Sequence, residues 1–440
     1  MEQNTTQQDR REARRKRRQR SQLAAYITVI GFIILMAAGI VFGVNMLTQK
    51  SRQQEKEQED NQAKLEEIFN QEESIQTPES VPEETVAELT PEQKLDEIVN
   101  AGIEVMPLED KVAGLFIVTP EAITGVSTAI KAGDGTKKAL SDYAVGGIVY
   151  FSKNIRSQEQ LQEMVSNTKL YSNYPLFIAV DEEGGSVSRL AEAGLGTKVD
   201  TAQELAQSGD VNNAYLAGDT IGQYLADYGF NLDFAPVADL ANVEKSVIGN
   251  RSFGADAATV SPYVTSMMQG LADHEITACV KHFPGIGSTT QDTHKGLAST
   301  DRTAEEFRAS EFVVFQAAID AGADMIMVSH MSAPALAGDG TPCSLSEAVV
   351  TNILRNELGF KGVIITDALN MSAISEYYSA DEAAVMALRA GCDMLLMPED
   401  FEKAYNGVLQ AVRDGVIAEE RIDDALRRIY RIKYADKVEE

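Results

Sequence analysis

The chain has 440 residues but no tryptophan, three cysteines and four histidines. Any aromatic stacking surface would therefore use tyrosine or phenylalanine. Three cysteines do not form a disulfide framework, and no cluster of cysteine or histidine has the spacing of a zinc site. A lipoprotein is not expected, because no cysteine precedes Cys279. Gly285 and Gly287 lack the third glycine of a phosphate-binding loop. No cofactor and no metal ion is expected.

Charge is distributed unevenly along the chain, whose net charge is −28. Residues 10–20 contain eight arginines and lysines and one acid, a run that by itself would fit a nucleic-acid-binding segment. The 25 residues from Leu23 to Leu47 are all uncharged, and such a helix spans about 30 Å of hydrocarbon. The basic run before it predicts a cytoplasmic N-terminus. We therefore expect a single-pass membrane anchor and no nucleic-acid partner.

A cleaved signal peptide is the alternative, although its apolar region usually has only about 7–15 residues. Four segments are predicted: a basic cytoplasmic tail at 1–22, a transmembrane helix at 23–47, an acidic flexible spacer at 48–89 and a globular domain at 90–440. The spacer is rich in Gln, Glu and Ser and has too few apolar residues to fold. Thr90 is the expected N-cap of the first helix, with Pro91 at its first position.

Short apolar runs recur through the globular domain, with helical patterns between them. The runs are 113–118, 146–151, 176–180, 231–237, 277–281, 324–328, 362–366 and 393–397. The helical patterns are 158–171, 211–228, 256–273, 303–320, 345–357, 380–390, 400–413 and 418–434. Continuous apolar runs are typical of parallel strands buried on both faces. Eight of them alternating with helices predict an α/β fold, a (β/α)8 TIM-type barrel, with an open doubly wound sheet as the alternative.

Polar side chains occur where these runs end. They are Asp181, Asp239, Lys281, His282, Ser329, His330, Asp367 and Glu399. In a barrel the carboxyl ends of all strands meet at one face, where active sites are built. The sequence therefore predicts that these side chains gather at one mouth of the barrel.

Asp367 and the loop around Asp292 are the main candidates for chemistry. Asp367 ends an apolar strand, and a carboxylate held there suits a nucleophile; the alternative is an N-cap for the next helix. Asp292 and His294 lie two residues apart in a glycine-containing loop. A carboxylate raises the basicity of an imidazole and orients it for proton transfer. The alternatives are an incidental surface loop or half of a metal site.

Four further residues suit a ligand with many hydroxyl groups. Asp181 precedes two acids and two glycines, and Arg251 offers a rigid fork of donors. Lys281 and His282 end an otherwise apolar strand. The alternative for each of the four is a salt bridge at the barrel rim. Of Glu182 and Glu183, at least one is expected to be structural.

These segments together resemble the family 3 glycoside hydrolases, and among them the bacterial β-N-acetylglucosaminidases. The resemblance extends from about Met106 to Ala435. Its motifs occur in order at Met106–Val112, Val180–Gly185, Asn231–Asp239, Asn250–Gly254, Lys281–Gly285, Asp292–His294 and Gly359–Asp367. The resemblance implies a retaining mechanism with Asp367 as the nucleophile and His294, paired with Asp292, as the acid/base. It also implies that Asp181, Arg251, Lys281 and His282 hold the sugar in the −1 subsite.

Some positions depart from the family pattern. Ile286 and Ser288 replace a second histidine and an acid or asparagine, Ser186 replaces a basic residue, and Ala368 replaces an acid. None of these positions has an assigned catalytic role. Their effect falls on the conformation of the loop and on contacts beyond the first sugar.

The resemblance and the anchor together predict a membrane-bound exo-β-N-acetylglucosaminidase that faces outward and acts on cell-wall-type glycans during peptidoglycan turnover. A β-glucosidase, a β-xylosidase or a phosphorolytic enzyme of the same family is the alternative within enzymes. A catalytically silent protein that binds wall fragments is the alternative outside them. The sequence does not indicate an oligomeric state.

Overall fold

The protein is described by a computed structural model that covers residues 89–292 and 296–435. The predicted cytoplasmic tail and transmembrane helix, and the spacer up to residue 88, lie outside the described residues, as does His294. Within the described ranges, no helix is both long enough and apolar enough to cross a membrane.

The described residues contain ten strands, and eight of them build one parallel sheet. They are β1 (Phe116–Val118), β2 (Gly147–Val149), β3 (Phe177–Val180), β4 (Glu182–Gly184), β5 (Val187–Ser188), β6 (Leu232–Asp233), β7 (Thr277–Phe283), β8 (Met325–Val328), β9 (Val363–Thr366) and β10 (Leu395–Leu396).

In the main sheet the strands follow the order β10-β1-β2-β3-β6-β7-β8-β9. A parallel bridge between Ile365 and Met394 links the two outer strands of this order. The result is a nearly closed eight-stranded parallel barrel, consistent with the TIM type. The alternative of an open doubly wound sheet is wrong, since each strand pairs with the next along the chain and the last strand pairs with the first. All eight predicted strands are present. Their continuous apolar sequence matches their burial, as in Val363–Thr366, where every residue is buried.

Helices separate the strands. They are Pro91–Glu104, Leu108–Ala113, Pro120–Thr124, Asp134–Asp142, Gln158–Tyr171, Arg189–Glu192, Ala202–Gln207, Asn212–Asp227, Ala257–Ala272, Ala304–Ala309, Glu311–Asp320, Pro334–Ala337, the π-helix Ala348–Glu357, Ser372–Ser375, Ala380–Ala390, Phe401–Arg413 and Glu419–Lys433. The first begins as predicted: Thr90 is its N-cap and forms a capping box with Gln93.

One predicted helix is divided. The pattern 303–320 was expected to be continuous, but Ser310 has non-helical backbone angles and separates Ala304–Ala309 from Glu311–Asp320. Its hydroxyl donates to the Glu306 carbonyl and accepts from Arg302 at 2.6 Å. Serine competes in this way with the helical hydrogen bonds of the backbone, which apolar periodicity alone does not reveal.

Candidate active site

A cavity of about 470 Å³ opens at the carboxyl ends of the barrel strands, a volume within the usual range of small-molecule sites. Six of the seven residues singled out from the sequence lie in its wall: Asp181, Arg251, Lys281, His282, Asp292 and Asp367. The seventh, His294, is outside the described residues. The barrel therefore brings distant residues into one site, since Asp181 and Asp367 are 186 positions apart in the chain.

Asp367 follows β9 directly, and its backbone N–H donates to the carbonyl of Val328 at the end of β8 at 2.9 Å. Its Oδ1 accepts a hydrogen bond from the Ala368 N–H at 2.7 Å. The alternative role as a helix N-cap is wrong, because the next helix begins at Ser372 with Met371 as its N-cap. The carboxylate is instead held at the strand end and faces the cavity.

Electrostatics keeps Asp367 ionised. Burial raises the pKa of this carboxyl, but nearby His330 and His282, the Ala368 N–H and Lys281 more than offset that effect. The net result is a pKa below the ordinary value of 3.8. A carboxylate that is charged at neutral pH can act as a nucleophile.

Lys281 and Arg251 belong to one buried ion-pair network. The Lys281 ammonium lies 2.8 Å from Asp181 Oδ1 and 2.6 Å from Glu183 Oε1. Arg251 binds the same Glu183 carboxylate with two parallel hydrogen bonds of 2.7 and 2.6 Å. The salt bridges considered as an alternative from the sequence are thus present, and all four members of the network also line the cavity.

The network fixes the charges of Glu183 and Lys281. Burial opposes ionisation of Glu183, but Lys281 and Arg251 lower its pKa to about 2. Burial likewise lowers the pKa of Lys281, while Asp181 and Glu183 raise it to a greater extent, so the ammonium stays charged. Fixed donors and acceptors of this kind suit a ligand with several hydroxyl groups.

His282 is oriented by Asp239, which lies after β6 and is fully buried. Asp239 Oδ2 accepts from His282 Nδ1 at 2.7 Å and from the His282 backbone N–H at 3.1 Å. Its Oδ1 accepts from the Ile286 N–H at 2.6 Å. Because a carboxylate only accepts, Nδ1 carries a proton. The sequence placed Asp239 at a strand end but did not pair it with His282.

The two acids after Asp181 have different roles. Glu182 faces inward and accepts from the N–H groups of Leu190 and Ala191 and from the Tyr224 hydroxyl. Its own N–H donates to Asp233, and burial raises the pKa of both carboxyls. Glu182 is therefore structural and anchors the short β4–β5 hairpin. Glu183 belongs to the cavity, and the alternation of side chains along a strand explains the difference.

Arg189 is a cavity residue that the sequence analysis missed. It follows the β4–β5 hairpin, and its guanidinium lies 5.9 Å from the ring centre of Phe151, another wall residue. Its buried Nε has no hydrogen-bond partner within residues 89–292 and 296–435. No motif singled it out, since its position depends on the hairpin that follows Asp181.

The proposed acid/base pair is only partly described. Asp292 lies in the cavity wall. The three residues that follow it, 293–295, are outside the described residues. The pairing of Asp292 with His294 therefore stays a prediction. In the described part of the chain, no group of three or more His, Cys, Asp or Glu side chains is arranged to hold a metal ion.

Comparisons with known proteins agree with this geometry. Residues 107–432 match the glycosyl hydrolase family 3 N terminal domain. A beta-hexosaminidase of Nitrosomonas eutropha is 35% identical over 271 residues, which are 60% of this chain and 77% of the relative. A beta-N-acetylglucosaminidase/beta-glucosidase of Cellulomonas fimi is 31% identical over 301 residues, 66% of this chain and 52% of the relative.

Among solved structures, a family 3 beta-N-acetylglucosaminidase from Paenibacillus sp. str. FPU-7 is similar, with a TM-score of 0.71 and 36% identity. The match covers 75% of this chain and 63% of that chain. The family match includes every cavity residue described above. The chain belongs to glycosyl hydrolase family 3 and is an enzyme of the glycoside hydrolase class.

Proposed function

We propose that this protein is a membrane-anchored, retaining exo-β-N-acetylglucosaminidase that removes terminal β-linked N-acetylglucosamine from cell-wall-type glycans. The observation that carries the proposal is the Asp367 carboxyl group, held at a strand end and lining a cavity whose other polar groups are fixed. The names of the relatives, beta-hexosaminidase and beta-N-acetylglucosaminidase, support the choice of sugar.

In the first step, Asp367 attacks the anomeric carbon of the terminal sugar and forms a carbon–oxygen bond to it. The bond from that carbon to the leaving oxygen breaks, and the leaving oxygen takes a proton from His294. Asp292 orients the His294 ring. In the second step, water attacks the same carbon, His294 accepts its proton, and Asp367 is released. Two displacements at one carbon retain its configuration.

Lys281, Asp181, Arg251 and His282 are proposed to hold the hydroxyl groups of the sugar in the −1 subsite. Lys281 and Arg251 can each donate to the ligand while they remain paired with Glu183, because both have more N–H groups than the network uses. Asp181 is partly exposed to the cavity and retains acceptor capacity for hydroxyl groups. His282 is held by Asp239 with one ring nitrogen left for the ligand.

The assay compares 4-nitrophenyl β-N-acetylglucosaminide with the matching β-glucoside, using the full-length chain and its Asp367→Asn variant. We expect the acetamido sugar to be preferred and its turnover to fall at least about 1,000-fold in the variant, since the covalent route is lost. Asp324→Asn is a matched control. Asp324 precedes β8 at the opposite end of the barrel, so this change should leave turnover intact.

The other possible results of this assay each overturn a different part of the proposal. Preference for the glucoside would overturn the choice of sugar and keep the mechanism. Glycosyl phosphate formed when inorganic phosphate is added would indicate phosphorolysis in place of hydrolysis. Full activity of Asp367→Asn would overturn the nucleophile. No turnover by the unmodified chain would favour a protein that binds wall fragments.

The anchor is proposed to comprise residues 23–47, with residues 1–22 in the cytoplasm and the catalytic domain, residues 90–440, outside the cell. The acidic spacer, residues 48–89, would hold the barrel away from the membrane surface. Protease added to intact cells should digest the barrel and leave the N-terminal tail protected. A released protein whose new N-terminus lies within or just after residues 23–47 would instead indicate a cleaved signal peptide.

A further inference from the structure

His330 is a buried polar residue that none of the proposed steps uses. It lies two positions after β8, and its side chain is fully buried. It is not part of the cavity wall. A buried imidazole without a function in ligand binding still needs partners for both ring nitrogens, and the identity of those partners indicates what it does.

Both ring nitrogens contact the chain on either side of β9. Nε2 lies 3.0 Å from the carbonyl oxygen of Ala368, and Nδ1 lies 2.7 Å from the hydroxyl of Ser344. A carbonyl oxygen only accepts, so Nε2 carries a proton and donates it. The Ser344 hydroxyl can donate to Nδ1 or accept from it, which allows the ring to be neutral or charged.

The contact with Ala368 leads directly to the nucleophile. Ala368 accepts from His330 through its carbonyl and donates through its N–H to Asp367 Oδ1 at 2.7 Å. The same alanine therefore connects the imidazole to the carboxylate. The backbone of Ser344 is held in turn, because its N–H donates to the carbonyl of Ser329 and its carbonyl accepts from the Cys392 thiol.

The charge around the nucleophile agrees with this connection. Burial raises the pKa of Asp367, and among the groups that lower it His330 contributes most, followed by His282, the Ala368 N–H and Lys281. His282 and Lys281 lie in the cavity wall, where the proposed contacts with the sugar also involve them. His330 lies outside the cavity wall and contacts the Ala368 carbonyl, so the proposed sugar contacts do not involve it.

We infer that His330 is a positioning residue that fixes the Ala368 backbone and thereby sets the orientation of the Asp367 carboxylate for attack on the sugar. The inference rests on the proposed role of Asp367 as the nucleophile. A carboxylate that attacks one carbon from one direction must be held in a narrow range of angles, and a displacement of about 1 Å costs about 100-fold in rate.

The test uses two variants in the full-length chain, His330→Leu and His330→Gln, with 4-nitrophenyl β-N-acetylglucosaminide as substrate. Leucine has no donor, so kcat should fall about 10- to 100-fold while KM stays within about threefold, because His330 does not touch the sugar. Glutamine places an amide N–H near the position of Nε2, so it should restore kcat to within about tenfold of the unmodified chain. A histidine needed only for stability would lower kcat only in proportion to the unfolded fraction of the variant, which the unfolding measurement reports separately.

His274→Gln is the matched control. His274 lies two positions after the helix Ala257–Ala272 and pairs at 2.8 Å with Asp219 of the helix Asn212–Asp227. Neither residue lines the cavity, so the substitution should leave kcat unchanged. Urea unfolding of each variant establishes that it is folded at the assay temperature. If His330→Leu is folded and its kcat is unchanged, or if His330→Gln is as slow as His330→Leu, the inference is wrong.

Asp367→Asn is assayed in the same series to separate the two proposals. A fully active Asp367→Asn removes the basis of both. An inactive Asp367→Asn together with an active His330→Leu keeps the nucleophile and overturns only the positioning role. If His330→Leu does not fold, His330→Met takes its place, because methionine also lacks a donor for the Ala368 carbonyl. A kcat at least about tenfold below that of His330→Gln, with KM unchanged, supports the inference, and equal kcat values for the two variants overturn it.

Discussion

Glu183→Gln tests whether the buried ion pairs of the cavity stabilise the barrel. Glu183 accepts two hydrogen bonds from Arg251 and lies 2.6 Å from the Lys281 ammonium, and only 6% of its side chain is exposed. Glutamine has nearly the same shape but no charge. Its amide N–H₂ group would also face the donors of both cations.

The expected loss follows from the pKa of Glu183, which is lowered from 4.5 to about 2. The difference between those two pKa values corresponds to about 3 kcal/mol in favour of the ionised form in the folded state. Removal of one partner from a buried ion pair typically costs about 3–5 kcal/mol. Both routes therefore predict that the free energy of unfolding falls by about 3 kcal/mol at pH 7, measured by urea unfolding.

The loss should depend on pH in a defined direction. Because the folded-state pKa is lowered, the stabilisation is present above pH 4.5 and is lost as the pH falls toward 2. At about pH 3.5 the difference between Glu183→Gln and the unmodified chain should have fallen to about 2 kcal/mol. The measurement is a pair of urea unfolding series at the two pH values.

Glu182→Gln is the matched control in the neighbouring position. Burial raises the pKa of Glu182, so its charged form is disfavoured in the folded state. The contribution of Glu182 to the free energy of unfolding therefore decreases as the pH rises. The cost of Glu182→Gln should therefore grow, not shrink, as the pH falls. Two results would refute the reasoning. One is a loss below about 1 kcal/mol for Glu183→Gln at pH 7, which is the value of an exposed ion pair. The other is the same pH trend for both variants.

Two further substitutions probe the cavity. Asp239→Asn leaves one acceptor oxygen where the carboxylate has two, so its N–H₂ group must face either the Ile286 N–H or the N–H groups of His282. Either arrangement removes the charged acceptor that orients His282, and kcat/KM should fall about 10- to 100-fold, the value of one hydrogen bond to a charged group. An unchanged kcat/KM would separate His282 from sugar binding. Arg189→Met keeps the packing on Phe151 but removes the donors of the guanidinium. The kcat/KM of this variant should fall about tenfold, while its free energy of unfolding stays within about 0.5 kcal/mol of the unmodified value. A large loss of stability would instead show that Arg189 stabilises the fold.

The barrel strands were predictable because burial on both faces requires continuous apolar runs, and that requirement is local to each strand. β9 and β7 are examples, with every side chain of β9 buried. The break at Ser310 and the β4–β5 hairpin were not predicted. Each depends on hydrogen bonds to particular partners, such as Arg302 and Asp233, that the pattern of apolar residues does not contain.

By itself the sequence determined the positions of the eight barrel strands, the family and the polar residues at the strand ends, since strand ends are marked by the change from apolar to polar residues. The order of the strands and the closure of the barrel came from the tertiary structure. Only the tertiary structure decided which polar residues act together. Asp239 with His282, Glu183 with Arg251, and His330 with Ala368 are each separated by 38 or more positions. These pairings form because closing the barrel brings the ends of different strands within hydrogen-bond distance, and no local pattern encodes that proximity.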